Sequence, residues 1–398
     1  MTATSRPGTP APDVLVVGAG VIGAATAFHL ARLGVSGVTV LDRDTAGSGM
    51  SSRSSALIRM HYSFGPEVEL AVRADAMFGD WTALTGQPAF VRRTGFARIV
   101  RPGEEDQLRA NVAMQRALGA RAELVDGAEL AKLAPGLRTD DVSLAAWEPH
   151  GGYGDGAVVA GDLLTAARAL GARYLPHTPV LGLERSGDRV TGVRTPGGTL
   201  PAGTVVLATG VWTPPLLREA GLELPIETER HTVAVLAHPP GGGTSVACID
   251  SVTGTYFRPE AGGTMTVVGE FTGERGVAPD QPATAGIGAA APLAGRAAQR
   301  VPSLADAGIA RGITGVYDMT PDARPMLGPV PGAPGLVLAA GLSGMGFKIS
   351  PAVGESLAAM IAGDGAGDAG SPVDLTPFRP GRFAAGQPIV APHPYSDD

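Results

Sequence analysis

The chain has 398 residues, enough for two or three domain-sized units, and its 44% hydrophobic and 17% charged content suits a well-buried globular protein and not a disordered one. A net charge of −7, with no run of like charge, argues against a nucleic-acid partner. The single cysteine, Cys248, excludes an internal disulfide and any Cys-rich metal site, and no metal is expected. In chain order, MTATSRPGTPAPD reads as a flexible lead-in. The apolar run that follows, VLVVGAGVIGAATAFHLARLG, lacks a charged leader and is interrupted by Gly18, Gly20, Gly23, His29 and Arg32. It is therefore read neither as a signal peptide nor as a membrane span, and a cytoplasmic enzyme is expected.

Within that run, VLVV (14–17) has the uniform apolarity of a buried parallel strand. Gly18, Gly20 and Gly23 follow in G-x-G-x-x-G spacing, and ATAFHLARLG continues at helical period up to Gly34. VTVLDRD is a second strand, and its Asp42 stands 19 residues after Gly23, near the spacing of a ribose-binding acid. Each glycine has a job. Gly18 permits the tight turn, Gly20 lets a pyrophosphate approach the backbone, and Gly23 lets helix and strand pack closely. The helix N-terminus offers free N–H groups to phosphates. Asp42 favours an unphosphorylated ribose, so FAD or NAD. The fold class expected is α/β, a Rossmann-type dinucleotide domain of the glutathione-reductase kind.

Further along, EEDQLRANVAMQRALGA is helical, while HTVAVLAHP and TYFRPEAGGTMTVVGEF alternate in polarity as strands do. They predict a sheet-based α+β substrate domain. VVLATG and LVLAAG are apolar runs ending in glycine, as strands do when they deliver backbone to a cofactor. GLSGMGFKIS (341–350) leaves its backbone almost bare, and a helix is expected from Ser350, with Pro351 in its first turn.

Four segments now occur in order: the N-terminal glycine motif, GSGMSSRSSALIRMHY (47–62), TVVLATGVW (204–212) and YDMTPDARPMLGPVPGAPGLVLAAGLSGMGFKISPAVGESLA (317–358). Together, over nearly the whole chain, they resemble the superfamily of D-amino-acid oxidase, glycine oxidase and sarcosine oxidase. The likeness is greatest to the branch of monomeric sarcosine oxidase, sarcosine oxidase beta subunits and related amine or proline dehydrogenases. The resemblance implies FAD as cofactor, with a discontinuous FAD-binding domain over 10–80, 148–220 and 311–372. The substrate domain would take 81–147 and 221–310, leaving flexible tails at 1–9 and 385–398. It also implies a cofactor site. Arg43 would accompany Asp42, and Ser51, Ser52, Arg53, Ser54 and Ser55 would cradle phosphate or ring oxygens. Val180 would meet adenine, Thr209, Gly210 and Trp212 would follow the third strand, and Gly341, Ser343, Gly344, Met345, Gly346, Phe347 and Lys348 would lie against the flavin.

For the substrate, the resemblance implies that Arg59 and Lys348, 289 positions apart, hold a carboxylate. A guanidinium fork and an ammonium suit that anion. Tyr256 would lie beside the substrate, and Tyr317 stands where glycine oxidase and D-amino-acid oxidase have a carboxylate-binding arginine. Either tyrosine could equally be a core residue. Arg258 is a second pocket cation or the partner of Glu260, and His61 and Tyr62 line the entrance. The family's covalent flavin cysteine would fall near Gly315, so non-covalent FAD is expected. Its oxygen-activating lysine would fall near Val267, which puts rapid reaction with O2 in doubt and leaves O2 or another electron acceptor open. Met345 stands in place of a histidine. The reaction implied is oxidation of the C–N bond of an amino acid or N-substituted amino acid by hydride transfer to flavin N5, giving an imine. A flavin-dependent 2-hydroxy-acid or polyol-phosphate dehydrogenase, or a flavin-binding subunit of a larger oxidase, are the alternatives.

Overall fold

VLVV forms the strand Val14–Val17, buried at every position, because its side chains meet helices on one face and further apolar strands on the other. The computed structural model describes residues 13–363 and 372–396, so the expected tail over 1–9 lies outside the described residues. Val14–Val17 pairs in parallel with Val38–Leu41 and with Thr204–Leu207. The whole sheet runs Met326–Pro329, Leu336–Ala340, Thr204–Leu207, Val14–Val17, Val38–Leu41, Arg173–Leu175, with only Met326–Pro329 antiparallel. Helices Val21–Arg32, Gly156–Ala169 and Gly346–Ala362 share one apolar core beside it. Val21–Arg32 and Gly346–Ala362 touch closely, since a Cβ on Gly354 would stand 2.5 Å from Ala25.

The helix expected from Ser350 begins at Gly346, four residues earlier. Pro351 therefore lies inside the helix, where it removes one backbone N–H. Ser350 Oγ donates to the Phe347 carbonyl at 2.8 Å, supplying the bond that residue 351 cannot make. The shift places Phe347 and Lys348 in the first turn.

A second, larger sheet runs Thr284–Ala285, Gly308–Met319, Glu227–Ala237, Met265–Glu270, Thr255–Glu260, Ala247–Asp250, Phe96–Ile99, Ala145–Glu148, Glu123–Val125. The amphipathic helix Ile287–Arg300 packs on it through Ala290, Leu293 and Ala297. Gly308–Met319 pairs with Glu227–Ala237 along its whole length, so this sheet extends past the boundary expected at residue 311. The tail expected over 385–398 is also corrected within its described part. Tyr395 is 5% exposed against Val100, Leu108 and Val112, and its hydroxyl meets His61 Nε2 at 2.8 Å. Asn111 Nδ2 donates to the His393 carbonyl at 2.9 Å. These partners are remote in sequence, and the segment's polar, proline-containing composition gives no hint of them. Among the described residues no helix is long and apolar enough to cross a membrane.

Candidate active site

A cavity of about 470 Å³ lies at the carboxyl ends of the parallel strands, bounded by Val17, Leu41, Ala208 and Ala339. Open α/β sheets bind their ligands there. Gly18, at φ +104°, carries the turn, and a Cβ on it would stand 2.4 Å from the Ala208 carbonyl oxygen. A Cβ on Gly23 would stand 1.9 Å from the Gly18 carbonyl oxygen, so only glycine permits this approach of helix to strand. Ala19 N–H donates to Asp42 Oδ2 at 2.6 Å and Asp44 N–H to Oδ1 at 2.9 Å. Those bonds fix the carboxylate at the cavity wall and leave lone pairs for incoming hydroxyls. Val21 N–H, in the first turn of the helix, donates to Ser51 Oγ at 3.1 Å.

Of the residues expected to hold cofactor, Gly18, Gly20, Asp42, Arg43, Ser51, Arg53, Ser54, Val180, Thr209, Gly210, Trp212, Gly344, Gly346 and Phe347 line this cavity. Gly23, Ser52, Ser55, Gly341, Ser343, Met345 and Lys348 do not. Gly23 lies behind the turn. Ser52 is exposed, with its hydroxyl on the Ser48 and Gly49 carbonyls. Gly341 is buried and donates its N–H to Asp318 Oδ2 at 2.6 Å. Arg43 stacks 4.1 Å from the Trp212 ring, and both donate to Asp280 Oδ1, at 3.0 and 2.9 Å. A turn of bare backbone, hydroxyl-bearing side chains, an anchored acid and a cleft of about 470 Å³ fit a dinucleotide with unphosphorylated ribose.

A second cavity, about 500 Å³, adjoins the first and shares Ser54, Tyr317 and Gly344 with it. Arg59, Lys348, Tyr256 and Tyr317 all line it, as do His61, Tyr62, Ser55, Ser343 and Met345. The Arg59 guanidinium lies 4.2 Å from the Tyr62 ring centroid and donates to the His61 carbonyl, while its buried Nε has no partner. Lys348 is 9% exposed, and Nζ donates to the Gly344 carbonyl at 3.3 Å. Burial, and then the positive charge of Arg59, hold the Lys348 ammonium well below its ordinary pKa of 10.5, against the opposing pull of Glu67. Glu67 itself pairs with Arg324, Oε1 to Nε at 3.2 Å. Two basic side chains, Lys348 buried and Arg59 half-buried, thus share this cavity wall with no carboxylate of the described residues in ion-pair contact with either.

Tyr256 is buried and Tyr317 half-buried, and burial raises both phenols above their ordinary value, each with the other's side chain as a neighbour. Glycines make room for both rings. A Cβ on Gly269 would stand 2.1 Å from the Tyr256 ring, and one on Gly344 2.6 Å from the Tyr317 ring. The bareness of 341–346 therefore serves Tyr317 as well as the first cavity. Arg258 is the partner of Glu260, at 2.7 Å, and stacks on Tyr153 outside the cavity lining.

Sequence reasoning missed His231 and Glu229. His231 stacks on Tyr317 with ring centroids 4.0 Å apart, and its Nε2 lies 3.1 Å from Glu229 Oε1. Arg275 Nε donates to Glu229 Oε2 at 2.8 Å. Burial pulls the His231 imidazole below its ordinary value, while Glu229 pulls it up. A signal was present: Glu229, His231, Val233 and Val235 occupy one buried face at period two, and a charged pair there asks for an explanation. Tyr395, Arg98 and Arg324 also reach this cavity from parts of the chain not singled out.

Residues 13–360 match the family model described as DAO, FAD dependent oxidoreductase. The chain belongs to that family. Glycine oxidase of Geobacillus kaustophilus (strain HTA426) is 29% identical over 362 residues, 88% of this chain and 92% of the relative. Mitochondrial sarcosine dehydrogenase of Homo sapiens is 27% identical over 372 residues, 90% of this chain but 40% of the relative, so the chain spans well under half of that protein. The crystal structure of L-proline dehydrogenase from P. horikoshii superposes with a TM-score of 0.85 at 25% identity, covering 95% of this chain and 99% of that one. The resemblance read from the sequence, the α/β Rossmann-type class and FAD as cofactor are borne out. The cleft beside Gly18 and Asp42 is the place in the fold that fits FAD.

Proposed function

We propose that this FAD enzyme oxidises the C–N bond of an amino acid or N-substituted amino acid, yielding an imine. The observation that carries the reading is the pair of basic side chains, half-buried Arg59 and buried Lys348, without a carboxylate ion-pair partner among the described residues, in a cavity that abuts the cofactor cleft. A buried cation is costly unless paired, and a substrate carboxylate supplies the pair. Glycine oxidase, sarcosine dehydrogenase and L-proline dehydrogenase among the relatives are named for amino-acid substrates, which supports the same class.

Bound FAD supplies the two-electron acceptor. The chain's own residues position the substrate, and positioning can contribute several powers of ten in rate. Arg59 offers a guanidinium fork and Lys348 a point charge. Tyr256 and Tyr317, packed against Gly269 and Gly344, wall the cavity. The helix Gly346–Ala362 presents its N-terminal turn to the cofactor cleft, where its dipole favours negative charge. Cys248 is fully buried in the second sheet, outside both cavity linings, which supports non-covalent FAD. Val267 packs with Val233 and Val235, which supports an acceptor other than O2 or slow reaction with it.

The test is anaerobic mixing of the holoenzyme with amino acids, N-methyl amino acids and matched 2-hydroxy acids, read as loss of the flavin visible band. Bleaching by amino acids but not by hydroxy analogues is expected. Bleaching by the hydroxy acids alone would sink the reading. Admission of air then separates oxidase from dehydrogenase.

A further inference from the structure

One wall of the substrate cavity is apolar, and carboxylate binding does not account for it. Leu57, Ile249, Tyr256 and Phe271 line the cavity and form one cluster. The register explains the grouping. Ile249 stands opposite Tyr256 across one strand pair, and Tyr256 opposite Gly269 across the next, two residues before Phe271. At period two, Ile249, Tyr256 and Phe271 emerge on one face of the sheet. The rings of Tyr256 and Phe271 are 6.4 Å apart and tilted by 35°. Leu57 and Tyr256 are buried beneath, whereas Ile249 and Phe271 are only half-buried and present their remaining apolar surface to the cavity. Water against that surface is unfavourable, and an apolar group that displaces it gains affinity.

Size points the same way. The cavity, at about 500 Å³, lies within the range of pockets that hold drug-sized ligands. Glycine, with five heavy atoms, leaves most of it unfilled. The acids that share the lining do not ask for a basic side chain, because Glu229 is paired with Arg275 at 2.8 Å and Glu270 with Arg296 at 2.7 Å.

We infer that the substrate carries a branched-aliphatic or aromatic substituent, on Cα or on nitrogen, that packs on Ile249 and Phe271 while its carboxylate meets Arg59 and Lys348. The inference rests on the amino-acid reading of the cavity and narrows it. Glycine and sarcosine are then poor substrates.

The test uses the holoenzyme and two readouts. The first is kcat/KM for glycine, sarcosine, leucine-, phenylalanine- and lysine-type amino acids, as both enantiomers and with and without an N-methyl group. At about fourfold per buried methylene, the best apolar substrate is expected to exceed glycine by ~10²-fold or more. Phe271→Ala is expected to cut that ratio at least tenfold, and Phe271→Leu to recover part of it. Ile249→Ala gives the same test should the Phe271 variant not fold. The second readout is binding of acetate, 4-methylpentanoate and phenylacetate, followed by perturbation of the flavin spectrum, with the larger carboxylates expected to bind more tightly. Oxidation or carboxylate binding with no apolar preference, or a preference for lysine-type substrates, would overturn this inference alone. Failure of every amino acid and every carboxylate would overturn the amino-acid reading as well.

Discussion

Replacing Lys348 by methionine separates a substrate-binding role from a structural one, because the two predict opposite changes in stability. Methionine is unbranched, close in length and tolerant of irregular surroundings, so the helix turn should keep its packing. In the wild type the Lys348 amine is buried beside Arg59 with only the Gly344 carbonyl as a partner. Its folded-state pKa is therefore below the unfolded 10.5. The folded chain binds fewer protons than the unfolded chain between those two values, so stability rises with pH across that window and a penalty is present at neutral pH. Lys348→Met removes the penalty, and the variant should melt higher at pH 7 than the wild type and lose that part of the pH slope. Its carboxylate binding should move the other way. A hydrogen bond to a charged group contributes ~1.5–3 kcal/mol, or about 10- to 150-fold in Kd. Flavin content should not change, since Lys348 is outside the cofactor-cleft lining. A carboxylate between Arg59 and Lys348 also favours the charged amine, so binding should take up as much as one proton. Calorimetric titration with acetate in two buffers of different ionisation enthalpy reads that uptake directly. An unchanged Kd in the variant, or a variant that melts lower and binds acetate normally, would refute the reasoning.

Three further outcomes follow from particular contacts. Glu148 is fully buried, with Oε2 accepting the Met60 N–H at 2.8 Å and Oε1 unpartnered; burial raises its carboxyl from 4.5 to about 8. Between those values the folded chain binds more protons than the unfolded one, so stability falls as pH rises. Glu148→Gln should flatten that part of the urea-midpoint profile, removing up to about 5 kcal/mol of dependence, and an unaltered slope would count against it. Gly23→Ala drives a methyl group into the Gly18 carbonyl, and the purified variant should carry less than about a tenth of the wild-type flavin, read as the ratio of visible to ultraviolet absorbance. Tyr395→Ala empties a buried site against Val100, Leu108 and Val112 and should cost ~3 kcal/mol in urea denaturation, whereas a freely moving tail would make the change neutral.

The cofactor half of the molecule was legible because its signals are local. Gly18, Gly20, Gly23 and Asp42 lie within one strand–helix–strand unit, and their chemistry depends on near neighbours. Arg59 and Lys348 were reached only through the family resemblance, since no periodicity links residues so far apart. The start of the last helix was misplaced because Pro351 is usually a first-turn residue. The hydroxyl of Ser350, which lets the helix run through it, shows only in three dimensions. Tyr395 was lost in a polar terminal stretch whose partners, His61 and Asn111, come from elsewhere in the chain. His231 and Glu229 could have been found by asking which face of their strand is buried.

That question also decides what the buried charges are for. Arg300 is fully buried, with Asp250 at 2.8 Å and Asp141 at 2.6 Å. Arg382 is fully buried on Asp322 at 2.8 Å, and Arg324 lies 3.2 Å from Glu67. Each of these cations is matched inside the chain, as buried charges in a stable core must be. Arg59 has the His61 carbonyl and the Tyr62 ring, Lys348 has the Gly344 carbonyl, neither has a carboxylate in ion-pair contact among the described residues, and both line a cavity that adjoins the cofactor cleft. Removing one partner of a matched pair costs roughly 3–5 kcal/mol of stability, whereas removing Lys348 should raise stability. On the reading proposed above, a fold that matches Arg300, Arg382 and Arg324 internally and leaves Arg59 and Lys348 to a carboxylate from solution gives up stability where binding requires it.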